Sequence, residues 1–511
     1  MFASIFLLLA LLVAPQQQRP QSPPGAPPPS GQAEAAKPTP LPDEPPVITK
    51  HEIKANGKTL RYTATTGFMP IKNSQGETEA RIFFMAYTLE NPGSAAQRPL
   101  MFSFNGGPGS SSVWLHLGAL GPKRVRMLDD GQLPAPPYQL VDNDYTWLDK
   151  TDLVFIDPVG TGYSRAASPQ LAQKFFGLQG DLQSVGEFIR MYLTRAERWS
   201  SPLFLVGESY GTTRASGLSG LLIDQGIALN GVLLISTVMN FQTLLFAPGN
   251  DLPYVVILPS YTATAWYHKK LPANLQSREL RAVLDEAERW AVNDYAVALM
   301  KADRLSAADR QRVVEQMARY TGLSKEYIEQ NNLRVDLSRF NKELLRDQRR
   351  TTGRLDSRFK GIDADVAGNN PAFDPSMTAI RPPYTATFNN YVRTQLGFKS
   401  DLDYHILGGG IGAWNWGVSN GYADTSGALR NAFAKNPYLK LLVACGYYDM
   451  ATPYFAAEYT LDHLNLDPTL RRNITTTYYE AGHMMYIDLK SLAKLKQDVD
   501  KFIDSASLSR P

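Results

Sequence analysis

Residues 202–211 read Pro-Leu-Phe-Leu-Val-Gly-Glu-Ser-Tyr-Gly, an apolar run that ends in a glycine-flanked serine and leads into a segment of helical character. The last five residues match Gly-x-Ser-x-Gly, the pattern of a nucleophile elbow between a strand and a helix. Such a turn holds its serine in a strained backbone conformation, directs the hydroxyl into a cleft and tolerates only small neighbours. The stretch therefore predicts a buried strand, a following helix and a nucleophilic Ser209; a turn serine without chemistry is the alternative.

Other short runs predict the rest of the sheet. Four of them are almost wholly apolar, as expected of strands buried on both faces: residues 99–104, 152–156, 231–235 and 439–444. Helical or irregular sequence separates them, so these strands would be parallel. Residues 48–91 instead alternate apolar and polar around turn pairs such as Asn56-Gly57, which is typical of antiparallel hairpins. The fold class is therefore α/β, a mixed, mostly parallel central sheet with helices on both faces.

The chain of 511 residues divides into segments of different composition. Residues 5–13 are apolar over a length that fits a secretory signal better than a membrane span, so we expect residues 1–14 to be a signal peptide or N-terminal anchor. Residues 15–46 hold 12 of the 35 prolines and predict a disordered linker.

The remainder is long enough for one large domain with an insertion. We expect a catalytic domain of residues 47–245 and 405–505, interrupted by a helical cap insertion of residues 246–404. Helical spacing of apolar residues supports that insertion in three stretches, namely 273–302, 306–320 and 324–332. Trp414 and Trp416 follow the insertion and are expected to pack under it rather than contact a substrate.

Charge and cysteine content argue against several classes of protein. The 52 Lys and Arg barely exceed the 49 Asp and Glu and form no long basic run, so we expect no nucleic-acid partner. Cys445 is the only cysteine, so no intrachain disulfide can form and no Cys/His metal spacing can be assembled. We expect no metal and no cofactor, and membrane association only if the N-terminal apolar segment is retained.

Residues 105–112, Asn-Gly-Gly-Pro-Gly-Ser-Ser-Ser, follow the first all-apolar strand. A Gly-Gly pair lets the main chain approach a ligand closely and leaves N–H groups free, as an oxyanion requires. Pro108 has no N–H, so the donors would come from Gly106, Gly107 or beyond. A plain glycine-rich turn or a phosphate loop is the alternative, although no Gly-Lys-Ser/Thr of a Walker site follows.

A serine nucleophile needs a base and an orienting acid. Of the six histidines, only His483 lies in a tight turn after a β-rich run, residues 474–479. Asp449 comes just past the apolar strand that ends at Cys445. The 34 residues between Asp449 and His483 (483 − 449) predict consecutive strand ends, and the 240 between Ser209 and Asp449 (449 − 209) leave room for an inserted cap.

Together these motifs resemble those of the serine carboxypeptidase family, peptidase family S10. The resemblance rests on five segments that occur in the family's order over about residues 80–490, namely 105–109, 147–164, 207–210, 446–449 and 481–483. It implies an α/β-hydrolase fold with a mainly helical insertion and a catalytic triad of Ser209, Asp449 and His483. The resemblance further implies two sets of binding groups: the N–H groups of Gly107 and Tyr210 as oxyanion hole, and Asn105, Gly106 and Glu208 as ligands of the substrate's terminal carboxylate.

The function implied by this resemblance is that of a serine-type carboxypeptidase. It would hydrolyse C-terminal residues from peptides with a free C-terminus, through an acyl-enzyme intermediate. The apolar run at residues 5–13 separately predicts export to the periplasm or the extracellular space, with the N-terminal segment as a possible tether. An esterase or acyltransferase with the same triad is one alternative, and a binding protein that keeps the fold without chemistry is another.

The sequence departs from the family's pattern beside the site. Ala119 stands near the position of a second family Glu, and Ser110 where the family has Cys. Losing that carboxyl removes half of the carboxylate clamp, so we expect activity to extend to higher pH or selectivity to weaken. Lys123 and Arg124 are candidate cationic replacements. Glu208 could donate a hydrogen bond to a carboxylate only if it were protonated; otherwise it merely braces the turn.

Overall fold

Fourteen strands build the part of the chain that this computed structural model describes, residues 44–91 and 93–507. They are β1 (Val47–Ala55), β2 (Lys58–Lys72), β3 (Thr78–Leu89), β4 (Leu100–Phe104), β5 (Lys123–Val125), β6 (Leu140–Asp142), β7 (Asp152–Ile156), β8 (Arg165–Ala166), β9 (Leu203–Ser209), β10 (Gly231–Thr237), β11 (Arg350–Thr352), β12 (Lys360–Ile362), β13 (Lys440–Gly446) and β14 (Ile474–Tyr479).

The central sheet has the strand order β1-β2-β3-β7-β4-β9-β10-β13-β14, and β8 pairs with β3. β1, β2 and β3 form antiparallel hairpins, and β3 is antiparallel to β7. From β7 to β14 all neighbours are parallel. Asn56 and Gly57 connect β1 to β2 with φ of 48° and 74°, as a tight hairpin turn requires. The predicted mixed sheet with a parallel centre is confirmed.

The helices of the described residues fill the crossovers and the long segment between β10 and β13. They are α1 (Val113–Leu115), α2 (Pro169–Phe175), α3 (Leu178–Arg195), α4 (Tyr210–Asp224), α5 (Leu252–Tyr267), α6 (Ala273–Gln276), α7 (Leu280–Trp290), α8 (Ala296–Lys301), α9 (Ala307–Thr321), α10 (Lys325–Gln330), α11 (Leu337–Glu343), α12 (Pro375–Thr394), α13 (Ser426–Lys435), α14 (Tyr454–Asp462), α15 (Pro468–Arg471) and α16 (Leu489–Ser507). Two π-helical turns span His116–Leu120 and Ala291–Tyr295, and four 3-10 turns span Phe241–Thr243, Ala302–Arg304, Arg346–Gln348 and Met485–Ile487.

Two apolar cores lie on opposite faces of the sheet, because successive strand residues point to opposite sides. On β9, Phe204 belongs to the core that α12 and α16 cover. Its neighbour Leu205 belongs to the core that α3, α4, α13 and α14 cover. Helices therefore cover both faces, as the apolar strand pattern predicted.

Segment 246–404 contributes to all three cores, and Leu280 and Leu284 of α7 belong to the one that α3, α4, α13 and α14 cover. Residues from α5 to α11 pack around each other in a third core, for example Leu258, Val314 and Phe340. In contrast α12 packs against the sheet through residues such as Tyr384 and Phe388. All described residues belong to one compact unit, so a separate cap with bounds at 246 and 404 stays a prediction.

Local signals explain the helices of this segment. Ser306 caps α9 by accepting a hydrogen bond from the Asp309 N–H at 3.1 Å, and Gly322 ends the helix with a φ of 69°. Ser324 caps α10 in the same way. The helices predicted within 306–320 and 324–332 are confirmed, and stretch 273–302 consists of α6, α7, α8 and π-helical and 3-10 turns.

The predicted signal peptide or anchor (1–14) and nearly all of the predicted linker (15–46) lie outside the described residues. Among the helices within 44–507, none combines the length and apolar character needed to cross a bilayer.

Candidate active site

Ser209 occupies the junction of β9 and α4. Its φ of 61° and ψ of −131° are unusual for a residue with a side chain. A Cβ atom at position 207 would lie 2.1 Å from the carbonyl oxygen of Gly211, so the turn can close only around glycine. The Gly-x-Ser-x-Gly stretch thus forms the strained strand-to-helix turn that its sequence predicts.

Asp449 and His483 follow the neighbouring parallel strands β13 and β14, whose carboxyl ends lie at the same edge of the sheet. The Nδ1 atom of His483 lies 2.8 Å from Oδ2 of Asp449, and both side chains are almost fully buried. The N–H groups of Ala451 and Thr452 donate to Asp449 Oδ1 at 2.8 and 3.0 Å, and the Thr452 hydroxyl donates to Oδ2 at 2.7 Å. These donors hold the carboxylate in place.

The charge on Asp449 also affects the imidazole. Burial alone would lower the pKa of His483, but the Coulomb attraction and hydrogen bond of Asp449 raise it above its ordinary value. Glu208 adds to this rise, and the guanidinium of Arg354 opposes it. A histidine with a raised pKa is a stronger base for a neighbouring hydroxyl.

Ser209 and His483 line one cavity of about 140 Å³, here called the serine cavity. Four other residues that the sequence pointed to line it as well: Asn105, Gly106, Gly107 and Glu208. The remaining walls are mainly apolar, with Trp114, Leu355, Met377, Ile380, Leu407 and Met484. The structure thus brings the predicted nucleophile, base and carboxylate-binding residues to one small site, with Asp449 behind His483.

Glu208 lies in this cavity as a buried carboxyl with two neutral donors. The amide of Asn105 donates to Glu208 Oε1 at 3.0 Å, and the hydroxyl of Tyr486 donates to Oε2 at 2.5 Å. Burial raises the pKa of Glu208 to about 7, although His483 and both hydrogen bonds act in the opposite direction. Glu208 is therefore largely neutral in acidic solution.

The glycine-rich loop packs directly on the serine turn. A Cβ atom at position 106 would lie 2.4 Å from the backbone nitrogen of Tyr210, so only glycine allows this approach. Tyr210 is the first residue of α4, and its N–H has no partner within the helix. Gly107 lines the serine cavity.

Trp414 and Trp416 contact the Tyr210 ring edge-on, with ring centroids 5.4 and 5.9 Å away.

A buried ion pair that the sequence analysis missed supports this loop. Arg214 Nε donates to Asp181 Oδ2 at 2.8 Å, and Arg214 Nη1 donates to the Asn105 carbonyl at 2.6 Å. The Tyr210 hydroxyl donates to the same Asp181 oxygen at 3.1 Å. Arg214 and Asp181 are about 1% and 2% exposed. An arginine in the otherwise apolar and small-residue helix after the serine turn was the available signal.

We expect Arg214→Met to destabilise the protein by about 3–5 kcal/mol at neutral pH, because it leaves the Asp181 carboxylate buried without a cation. Burial already raises the pKa of Asp181, and Arg214 opposes that rise. In the variant the folded protein would hold the Asp181 proton to higher pH than the unfolded chain, so the loss should grow as the pH rises from about 4 to 7. Urea unfolding at several pH values measures it.

Arg190→Met is the matched control, because Arg190 forms an exposed ion pair with Glu187. Its removal should cost less than about 1 kcal/mol at any pH. Equal losses in the two variants would contradict the structural role of the Arg214 pair.

The cationic residues proposed from sequence do not reach the serine cavity. Lys123 pairs with Asp142 across the β5–β6 ribbon. Arg124 lines a different cavity, which lies behind Tyr486. Arg354 lines the serine cavity instead. Lys123 and Arg124 are therefore wrong as carboxylate partners, since one is already paired and the other faces elsewhere.

Ala119, which stands near the position of the family's second Glu, does not reach the site. Ala119 lies fully buried in the π-helical turn His116–Leu120 and is absent from the cavity wall. Across residues 44–91 and 93–507, no three His, Cys, Asp or Glu side chains are grouped to hold a metal ion.

A mostly parallel sheet with helices on both faces, and a Ser, Asp and His at its strand ends, defines the class of α/β hydrolases. The family model for serine carboxypeptidases, Peptidase S10, matches residues 55–491. The chain belongs to the serine carboxypeptidase family.

Curated relatives match over shorter segments. Serine carboxypeptidase-like 5 of Arabidopsis thaliana is 29% identical over 154 residues, which are 30% of this chain and 33% of that protein. Serine carboxypeptidase-like 8 of the same plant is 27% identical over 202 residues, 38% of this chain and 42% of that protein. The chain thus matches about a third to two fifths of the length of these relatives.

A solved structure resembles nearly the whole described fold. The crystal structure of Kex1(delta)p, a prohormone-processing carboxypeptidase from Saccharomyces cerevisiae, aligns with a TM-score of 0.52. The alignment covers 87% of this chain and 91% of the yeast chain at 16% identity. At that identity the likeness supports the α/β-hydrolase fold.

Proposed function

We propose that the protein is a serine-type carboxypeptidase that removes C-terminal residues from peptides through an acyl-enzyme intermediate. The observation that carries the proposal is the buried 2.8 Å contact between His483 Nδ1 and Asp449 Oδ2 beside a cavity that His483 shares with Ser209. Membership of the serine carboxypeptidase family supports it.

In the proposed mechanism the Ser209 hydroxyl attacks the carbonyl carbon of the last peptide bond. His483 Nε2 takes the hydroxyl proton during this attack and then gives it to the leaving amine. Asp449 keeps the other imidazole proton on Nδ1 and stabilises the imidazolium. A water molecule, activated by His483 in the same way, then hydrolyses the acyl-enzyme.

The N–H groups of Gly107 and Tyr210 are the proposed oxyanion donors. Tyr210 begins α4 at the serine turn and Gly107 lies in the glycine-rich loop, and the glycine at position 106 allows these two segments to approach within contact. The first N–H groups of a helix are also favourable partners for negative charge. Fixed donors of this kind stabilise the tetrahedral intermediate without reorganisation.

Asn105, Gly106 and Glu208 are the proposed ligands of the substrate's terminal carboxylate. A neutral Glu208 can donate a hydrogen bond to a carboxylate, whereas an ionised Glu208 repels it. Because burial raises the pKa of Glu208 to about 7, this recognition should be strongest in acid.

We expect the preference of the wild type for free-acid over amidated peptides to fall about 10-fold between pH 6 and pH 8, as Glu208 ionises and a hydrogen bond to a charged group is lost. Glu208→Gln keeps a donor that does not titrate, so its preference should change little over this range. The measurement is the ratio of kcat/KM for a peptide and its amide against pH. His483 acts on both substrates, so its own titration cancels in the ratio. A wild-type ratio that stays constant through pH 7 would remove Glu208 from carboxylate recognition.

The size of the cavities suggests how a peptide is placed. The serine cavity of about 140 Å³ is suited to a single terminal residue. A second cavity of about 520 Å³ begins next to Asp449 and has apolar walls that include Phe241, Leu244, Ile257 and Met450. We assign the acyl part of the substrate to it, which favours apolar side chains there.

Product analysis on three matched substrates tests the activity. The substrates are a free-acid peptide, its amide and the corresponding ester, and mass spectrometry identifies the products. A carboxypeptidase releases the terminal amino acid and prefers the free acid. Ester cleavage without release of an amino acid would favour the esterase or acyltransferase alternative, and no turnover of any of the three would favour a binding protein.

Two further assignments belong to this proposal. Residues 246–404 act as a cap over the site, in keeping with Arg354 and Met377 on the cavity wall. The protein is exported, which rests on the apolar run at residues 5–13 and predicts cleavage or anchoring near residue 14.

A further inference from the structure

Arg354 lies where the two cavities meet. It is the one residue that lines both the serine cavity and the second cavity. Its loop follows β11 and is bonded to the main chain on either side of the site. The Met450 N–H donates to the Arg354 carbonyl at 3.1 Å, and the His483 N–H donates to the Leu355 carbonyl at 2.6 Å. The position of Arg354 is therefore tied to both the acid and the base.

The backbone of Arg354 is fixed, whereas its guanidinium is available. The Arg354 N–H donates to Asp374 Oδ1 at 3.0 Å. No hydrogen bond or ion pair joins the guanidinium to another residue in the part of the chain that the structure describes, and the side chain is exposed. Asp336, the acidic residue of the second cavity, caps α11 and lies 3.5 Å from Arg339. Arg354 thus forms no ion pair with an acidic side chain of the described residues.

Arg354 supplies a positive charge on the wall of the serine cavity. Its ionisable wall residues are Glu208, His483 and Arg354. Glu208 is held largely neutral by burial below about pH 7, and His483 is paired with Asp449. A guanidinium remains protonated throughout the range in which proteins are stable. The unsatisfied charge is that of Arg354, and its planar donors match a carboxylate.

We propose that the Arg354 guanidinium binds a carboxylate of the substrate's C-terminal residue, an assignment that rests on the carboxypeptidase activity proposed above. This contact supplies the cation that the sequence predicted at Lys123 and Arg124. Two carboxylates fit the same chemistry, the terminal α-carboxylate and the side chain of a C-terminal Asp or Glu. A C-terminal Lys or Arg is disfavoured by the same charge.

The test compares the wild type with Arg354→Met and Arg354→Lys on four dipeptides with a blocked N-terminus. One ends in Leu, the second is its amide, and two end in Glu and Gln. Loss of a charged hydrogen bond predicts that Arg354→Met lowers kcat/KM for the Leu acid about 10- to 100-fold, mainly through KM, and leaves the amide within about 2-fold. Arg354→Lys should recover part of the loss. Such a pattern assigns Arg354 to the α-carboxylate.

The Glu and Gln substrates test whether Arg354 binds the side-chain carboxylate of the terminal residue instead of its α-carboxylate. If Arg354 binds the side chain, Arg354→Met abolishes a preference for Glu over Gln and leaves the Leu acid unchanged. Arg304→Met is the matched control, since Arg304 is exposed and lies in neither cavity. The inference is wrong if Arg354→Met keeps the wild-type preferences for acid over amide and for Glu over Gln and has the same kinetics as Arg304→Met. That result would leave the carboxypeptidase activity intact. A wild type inactive on all four substrates would overturn the proposed function and this inference together.

A pH series separates binding from a structural role. Glu208 faces His483, Asp449, Tyr486 and Tyr384 and ionises near pH 7, whereas guanidinium groups do not lose their proton in proteins. Above about pH 8 the wild type should still prefer the acid over the amide, and Arg354→Met should lose that preference. Parallel profiles of the two proteins would exclude the α-carboxylate as the ligand of Arg354.

Discussion

Ser209→Ala is expected to reduce kcat by about 10⁶-fold, because removal of the nucleophile leaves only the rate supplied by binding and the oxyanion donors. The folded protein should remain intact. Alanine at a φ of 61° carries no more backbone strain than serine, and no hydrogen bond of the Ser209 hydroxyl to another described residue is lost. Activity on an ester substrate and the thermal unfolding midpoint give the two readouts.

Ser110→Ala provides the control on the same cavity wall. The Ser110 hydroxyl accepts a hydrogen bond from Trp114 Nε1 at 2.9 Å and donates to the Ser111 carbonyl at 3.0 Å. Among the described residues its hydroxyl bonds only to main-chain carbonyls and Trp114, so we expect its loss to change kcat by less than about 10-fold, as for a single supporting hydrogen bond. Comparable activity of Ser209→Ala and Ser110→Ala would mean that Ser209 is not the nucleophile.

Asp449→Asn is expected to lower kcat about 10⁴-fold with the fold preserved. The asparagine Oδ1 would still accept from the N–H groups of Ala451 and Thr452. Its Nδ2 would face His483 Nδ1, so that nitrogen would have to accept and the imidazole proton would move to Nε2. The base would then present a proton to the serine instead of a lone pair. The pH profile of kcat shows the loss at every pH.

Thr452→Val tests whether the loss of kcat in Asp449→Asn comes from the missing carboxylate charge or from disturbed packing around residue 449. The Thr452 hydroxyl donates to Asp449 Oδ2 at 2.7 Å and lies 3.2 Å from His483 Nδ1. Removing it leaves the acid–base contact in place, so we expect a loss of about 10-fold or less. An Asp449→Asn enzyme no worse than Thr452→Val would show that Asp449 does not orient the base.

Much of this site could be predicted because its signals are local. The five adjacent residues 207–211 specify the turn around Ser209. The positions of Asp449 and His483 follow from the apolar run 439–444 and the β-rich run 474–479, which end shortly before them. Parallel strands bring their carboxyl ends to one edge of a sheet, so a residue that follows a strand has a known location. The antiparallel hairpins were predictable from alternation alone.

Contacts between distant segments could not be predicted. Arg354 reaches the cavity from a loop inside the long helical segment, and nothing in its neighbours marks it as a site residue. The same holds for Tyr486 on Glu208 and for Arg214 on the Asn105 carbonyl. The packing of α12 against the sheet likewise depends on the tertiary fold and not on its own sequence. For this reason the cationic residues chosen from sequence, Lys123 and Arg124, were wrong.

Labelling with a fluorophosphonate tests the central claim most directly, because the serine oxygen attacks phosphorus, fluoride leaves and a stable Ser–O–P bond remains. Peptide mapping after the reaction should place one label per chain on Ser209 in the wild type, and His483→Ala should react far more slowly because its serine lacks a base. No label, or a label on another residue while Ser209 stays free in the folded protein, would contradict the account.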